Sequence, residues 1–518
     1  VASIDKAVGS APGAGLRRLL IQLDLPNGGP SLGFVADGFG AIAMTPPRAD
    51  ASSIDFVEGG EVESLPLRGS PAFGGSAPSA PSVILSGPQV ADLWRLRLTH
   101  PLQAAEVTIW WAGIDVLLWD ELYRGTPEPP GYEFTQDGIV VSIPLRPLRR
   151  PDEAPFPPSL IGDADRFLST TPDNSLSHAV PVIYGTARGV PLYAVESPAA
   201  INVKMLIAGH RIRSTTVNVY RDGASVVVGA TVSTDVDGRG QPYSYIEVAQ
   251  AVYAAGEELY LDSVEGHVGP NNTLVERLGD VLDHLYATYG RGLRPELDQR
   301  RTSGASVDLN RLTVAFFVNE QETGGTLAQF VETSLAGQFP FAVGAPTGRL
   351  GWDSLLLPQT GAPPVDHLTY GQDAFDRVGP TETSADELVG EVDLAYALHG
   401  YEGGPTAGIH LDESTSGLAR RAGSRWQAVQ RSSTASEYAA DSQTAYLIAN
   451  DLLRKKGVVR FRVEYEKVPT HFWRYPPLSV IYVTDAELGW TAEPCYLEAV
   501  TPRRDGGCDV LLITVDGM

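Results

Sequence analysis

Between residues 436 and 515 the hydrophobic period changes from that of a helix to that of a strand, and no other stretch constrains the fold as tightly. Ala445, Ile448, Ala449 and Leu452 recur at i, i+3, i+4 and i+7, which lines one face of an amphipathic helix over 438–456. Lys455 and Lys456 fall in its last turn, where cations favour the negative end of the helix dipole. Gly457 is the expected left-handed stop. Val459, Phe461, Val463 and Tyr465 then alternate with Arg460, Arg462 and Glu464, the pattern of a half-buried strand. Further strands are expected at 478–484, 495–501 and 508–515, the last hairpin turning at Asp505-Gly506-Gly507. One helix feeding a short antiparallel barrel is the physical reading.

The 518 residues are too many for one core and suggest roughly three to four domains. With 54 Gly and 39 Pro the chain has many turns, so the expected class is mainly β with small α/β parts. The formal net charge of −24 has the wrong sign for gripping nucleic acid, which is held by Lys and Arg on its phosphates. Such a surface faces DNA only as a wall that repels it, or serves solubility alone. Cys495 and Cys508 lie on two arms of one hairpin, out of cross-strand register, so no disulfide is expected. Arg17-Arg18 precedes an apolar run at 19–23 that is too short for a secretory signal, and no run approaches the ~20 residues that span a bilayer. A soluble protein made in a cytoplasm is the expectation.

Along the chain, residues 1–180 read as a β-rich region, with short strands such as 19–25 and a Gly/Ser/Pro/Ala linker at 69–88. Strands follow at 93–98 and 105–112, then Pro-rich connectors at 126–131 and 146–158. Residues 181–270 read as a β-barrel, with a hairpin turn at Arg221-Asp222-Gly223. Residues 271–385 read as a small α/β domain. There a helix capped by Asn271, Asn272 or Thr273 buries Leu278, Val281, Leu282 and Leu285 and stops at Gly290, and a second helix is expected at 327–335. Strands are expected at 341–343 and 350–357. Residues 386–518 read as a second barrel opened by a strand at 388–401, with a polar excursion at 403–431 that carries Arg420, Arg421, Arg425 and Arg431.

Chemistry is sparse. No Gly-Lys phosphate loop, serine-hydrolase elbow or H-E-x-x-H occurs, and Gly13 to Gly15 lack the rest of a dinucleotide fingerprint. His399, His410 and Asp412 are the best metal candidates, at a spacing that matches no standard site. Asp235-Val236-Asp237-Gly238 lacks the distal ligands of a calcium loop and reads as a hairpin turn. Asp120-Glu121 and Asp412-Glu413 are carboxylate pairs whose use in glycoside hydrolysis depends on separation in space. Trp110, Trp111 and Trp119 suit a sugar-stacking platform or a core, and the core is favoured. His471, Phe472, Trp473, Arg474 and Tyr475 suit an exposed protein contact or a barrel end-plug. No catalytic, cofactor or metal residue is assigned.

The order helix, strand, "LSVIYVTDAELGWTAEPCYLEAV" and "GGCDVLLITVD" resembles the last domain of the hub proteins at the tail tip of long-tailed bacteriophages and related gene transfer agents. Pro181, Tyr184 and Gly185, with Val219, Tyr220, Asp222 and Gly223, resemble that family's early barrel, so the likeness covers about 181–518. It implies two tube-like barrels per subunit and a homotrimer that presents six faces to a six-fold tail tube. The implied role is structural and non-enzymatic, in the virion at the tail tip after assembly in the host cytoplasm, lining a channel for genome ejection. The implied partners are a distal tail ring protein, a tape-measure protein and tip or fibre proteins, with DNA passing unbound and no cofactor. A host-surface carbohydrate-binding β module, or a cell-wall or polysaccharide hydrolase, are the other readings of the residues.

Overall fold

The computed structural model describes residues 18–36, 42–44, 54–64, 68–69, 81–112, 119–135, 138–148, 153–163, 166–167, 171–196, 202–253, 258–290, 297–320, 325–359, 361–383, 388–503 and 507–515. It is mainly β, in several sheets, with most of its longer helices after residue 277. The expected turn at Asp505-Gly506-Gly507 and most of the 69–88 linker lie outside the described residues.

The N-terminal sheet has ten strands. Its antiparallel centre runs Ser31–Val35, Arg18–Asp24, Glu106–Ala112, Asp120–Pro127, Gly138–Pro147. Segment 54–64 carries both flanks: Ile54–Glu58 runs parallel beside Ser31–Val35, and Gly60–Ser64 runs antiparallel beside Ser82–Leu85. The bend between them is Gly59, at φ 120°, where a Cβ would lie 2.3 Å from the Ser86 carbonyl oxygen. Only glycine fits there, and the bend curls the sheet around one apolar face. Residues 93–98, read above as a strand, belong mostly to the helix Pro88–Leu96. Pro88 starts it without losing a needed N–H, and Val90 and Leu93 bury its inner face.

The middle of the chain builds a four-stranded sheet from Tyr193–Glu196, Asn202–Ala208, Pro242–Ala249 and Ser233–Val236. A seven-stranded sheet shares its core, in the order Ala224–Thr231, Thr216–Arg221, Tyr260–Glu265, Thr186–Pro191, Val389–His399, Gly404–Leu411, with Gln430–Ser436 also on Val389–His399. The strand Val389–His399 therefore does not open the last sheet. It takes Gly404–Leu411 antiparallel and Gln430–Ser436 parallel, and the residues read as a polar excursion supply both strands and the helix Gly417–Trp426. The helix Ser442–Lys456 shares a core with Val392 and Leu394 through Ala445, Ala449 and Leu453. It starts four residues later than expected (442 against 438), where the Asp441 carboxylate accepts from the Thr444 N–H at 2.7 Å. Gly457 does stop it, but at φ −89° rather than left-handed; a Cβ there would meet the Leu453 carbonyl oxygen at 2.5 Å.

Helix Leu278–Tyr289 buries Leu278, Val281, Leu282 and Leu285. Its cap differs from expectation: the helix follows Arg277, and Asn271 and Asn272 turn the chain upstream at φ 59° and 61°. Helix Gln299–Leu309 was not legible, because Gly304 and a polar sequence hide its period; Asp298 caps it by accepting from Arg301 N–H. Leu327–Gln329 continues into the wider turn Phe330–Leu335, and Phe341–Gly344 pairs with Gly351–Ser354.

The last sheet runs Asp366–Thr369, Val480–Asp485, Trp490–Pro502, Cys508–Thr514, Phe461–Val468, Asp376–Glu382, with Arg68–Gly69 on Trp490–Pro502. Three of these strands come from before residue 385, so the sheet crosses that segment boundary. Neither tube-like barrel is closed within one chain, since both sheets end in strands paired on one side among the described residues. Cys495 pairs with Thr514 and Cys508 with Pro502; the two are not joined in a disulfide, and both are buried.

The first and last sheets share one core, in which Trp111, Tyr123 and Ile143 join Tyr465, Phe472, Trp473 and Leu497. At its margin Arg474 Nε donates to Asp120 Oδ1 at 3.0 Å and Nη2 to Oδ2 at 3.3 Å, with both side chains largely buried. Removing one partner strands the other charge. Arg474→Ala is expected to cost about 2 kcal/mol, and a double-mutant cycle with Asp120→Ala should recover most of that coupling in denaturation measurements.

A second buried feature was missed in the sequence. The rings of His210 and His267 stack at 3.4 Å, and His284 lies 4.5 Å from His267. The Ile183 N–H donates to His210 Nε2, so that ring is neutral, while Tyr289 and Tyr184 hydroxyls bond His267 at 2.8 Å and His284 at 2.7 Å. Burial lowers all three, His210 from 6.5 to about 4. A depressed histidine leaves the unfolded chain binding more protons, so stability is lost as pH falls from the unfolded value toward the folded one. His210 alone should cost roughly 2 kcal/mol between about pH 7.5 and about pH 5. Melting temperature should fall over that range, and less so in His210→Gln; an unchanged slope would refute the assignment.

Candidate functional site

A cleft of about 730 Å³ opens where the strand Asp120–Pro127, the helix Gln299–Leu309, the loop after Gly344 and segment 473–479 meet. Three stretches distant in sequence are held there by backbone contacts. The Arg124 N–H donates to the Thr347 carbonyl at 2.9 Å, and the Leu148 N–H to that of Gly348 at 2.9 Å. Gly348, at φ 80°, has no room for a side chain: a Cβ would fall 1.7 Å from the Arg124 carbonyl oxygen.

The lining is charged but paired. Asp120 is held by Arg474, Glu121 by Arg349 at 3.1 Å, and Asp353 by Arg301 through two hydrogen bonds. Asp298 accepts from the Thr347 hydroxyl at 3.0 Å. Arg349 Nε is buried and makes no hydrogen bond. Burial raises the Asp308 carboxyl above its ordinary value, with Arg311 opposing. A glycosidase needs two carboxyl groups facing one bond, one of them held as the acid. Asp120 and Glu121 are each engaged by their own guanidinium, which is the geometry of a scaffold.

The cleft gathers three features of the sequence that are far apart along it: the Trp110–Trp119 region, Asp120-Glu121, and the 471–475 cluster. Trp110, Trp111 and Trp119 are 4%, 0% and 8% exposed, so they are core anchors with little ring face open to a sugar. Trp110 and Trp119 pack edge to face at 5.6 Å. Phe472 and Trp473 are likewise buried, and His471 Nε2 lies 2.6 Å from Asp366 Oδ2, so the cluster plugs the end of a sheet. Asp237 accepts from the N–H groups of Arg239 and Gln241 at 3.0 and 2.8 Å, the hairpin turn expected there.

His399 and His410 are separated. His399 lies 4.0 Å from Asp262 at one end of its strand. His410 Nδ1 is 2.7 Å from Asp393, and its Nε2 is 3.5 Å from Glu391 and 3.4 Å from Asp412. Glu391, Asp393 and His410 offer donor atoms within 4.8 Å of one another, as a divalent cation requires. The Arg431 guanidinium already sits against both Glu391 and Asp393. The Asp393 hydrogen bond raises His410, and Arg431 and then His410 lower Asp393. The i, i+2 spacing of Glu391 and Asp393 on one strand face was the sequence signal for this cluster.

No family model and no curated protein matches the chain. Among solved structures, it is similar to a tail protein from Neisseria meningitidis, with TM-score 0.27 and 13% identity over 65% of this chain and 91% of that one. It is similar to a prophage tail protein from Listeria monocytogenes, with TM-score 0.26 and 11% identity over 67% of this chain and 90% of that one. It is also similar to a chain of the virion of a native gene transfer agent particle, with TM-score 0.16 and 15% identity over 49% of this chain and 80% of that one. At such scores the likeness is one of outline and carries no argument about mechanism.

Proposed function

We propose that the chain is the structural hub of a phage-type tail tip or baseplate, a homotrimer that adapts a six-fold tail tube to a three-fold tip. The observation that carries this reading is the seven-stranded middle sheet. It ends in Ala224–Thr231 on one side and Gly404–Leu411 on the other, both largely exposed, with Val228 79% exposed. Unpaired strand edges invite pairing with another chain. Copies that add edge to edge around an axis satisfy both edges and complete the tube that one chain leaves open. Partners above, within and below would be a distal tail ring protein, a tape-measure protein and tip or fibre proteins.

The net charge of −24 suits a channel wall that DNA slides past without adhesion. A hydrolase is the weaker reading, because the carboxylates of the cleft are taken by guanidinium groups. Native mass spectrometry of the full chain should give three copies. Val228→Lys, a charge set on the exposed edge, should weaken the trimer about tenfold or more. A monomer at every accessible concentration, absent from assembled tails, would refute the proposal.

A further inference from the structure

We propose that the cleft between the first sheet, the helix Gln299–Leu309 and segment 473–479 binds a neutral oligosaccharide, a property beyond a purely structural hub. Its volume of about 730 Å³ lies within the range of small-molecule sites, roughly 300–1,000 Å³. The chemistry of the wall selects the class of ligand. A phosphate or carboxylate would compete with Asp120, Glu121 and Asp353 for arginines that are already engaged, and a cation would compete with those arginines. Hydroxyl groups both donate and accept, so a ring of them bridges carboxylate and guanidinium without breaking the pairs.

One guanidinium on the wall has donors to spare. Arg349 reaches Glu121 through Nη2, and with its side chain 27% exposed another of its five N–H groups can meet a ligand hydroxyl. The rings of Pro358, Pro476 and Pro477, none of them buried, give the apolar surface that the C–H faces of a sugar need. Space is left by Gly304, midway along its helix, where an added Cβ would meet nothing within 4 Å. A peptide is the poorer occupant. It would dock by main-chain pairing, and Pro358, Pro476 and Pro477 on the wall carry no N–H for a ladder.

The test uses the full-length chain with maltotriose, cellotriose and chitotriose as probes, by saturation-transfer NMR and calorimetry. At least one should bind. Gly304→Gln extends a side chain into the open space from a helix position where glycine is itself unfavourable, so it should weaken binding about tenfold or more without lowering the melting temperature. Arg349→Met should weaken it similarly, and serves as the reading if Gly304→Gln misfolds. Failure of all three trisaccharides to bind would overturn the proposal. So would binding that survives Gly304→Gln in a folded protein, or a peptide held in the cleft, and lost in that variant, when no trisaccharide binds.

Discussion

The turn Thr470–Arg474 sits where the first and last sheets meet, and the architecture depends on what it buries. Phe472 and Trp473 enter a core that is common to residues 19–145 and 368–512. Losing an aromatic of this size from a packed interior costs about 3–5 kcal/mol, a large share of any domain's net stability. The Arg474 side chain then turns outward to Asp120 and closes the margin. Strand pair Arg68–Gly69 with Ala499 and Val500 stitches the same boundary through the backbone. The first sheet is thus not an appended module. It forms one wall of an interior whose other wall is the last sheet.

This shared core places the cleft. The helix Gln299–Leu309 and the hairpin Phe341–Gly344 with Gly351–Ser354 line it together with the strand end at Asp120. Pairing each carboxylate with its own arginine fixes that contact while leaving a hollow. Paired charges of this kind contribute little net stability, since desolvation offsets attraction, but they fix geometry when both partners are present.

The local signals in the sequence were physical and mostly held. Leu278, Val281, Leu282 and Leu285 are buried at helical spacing, and Phe461–Val468 alternates as a half-buried strand. Turn residues at Asp222-Gly223 and Asp237 sit where hairpins need them. The failures share one cause. Pro88–Leu96 looked extended because Leu96 and Leu98 flank Arg97 in a strand-like alternation, and the i, i+3 pair Leu93 and Leu96 is too short a run to show helical period. Gln299–Leu309 was hidden because its buried face carries Arg301, Thr302 and Ser306 beside Ala305 and Leu309, while Val307 is exposed, so apolar spacing was faint.

Periodicity and turn chemistry along the chain determined that the protein is mainly β, where most strands and the helices around Leu282 and Ala449 run, and that Trp111 belongs inside. Those properties depend on neighbours within a few residues. Tertiary structure alone decided which strands pair, because an edge's partner is chosen by packing over hundreds of residues. That is why Val389–His399 joins the middle sheet, why Asp366–Thr369 joins the last, and why Asp120 meets Arg474 across 354 positions.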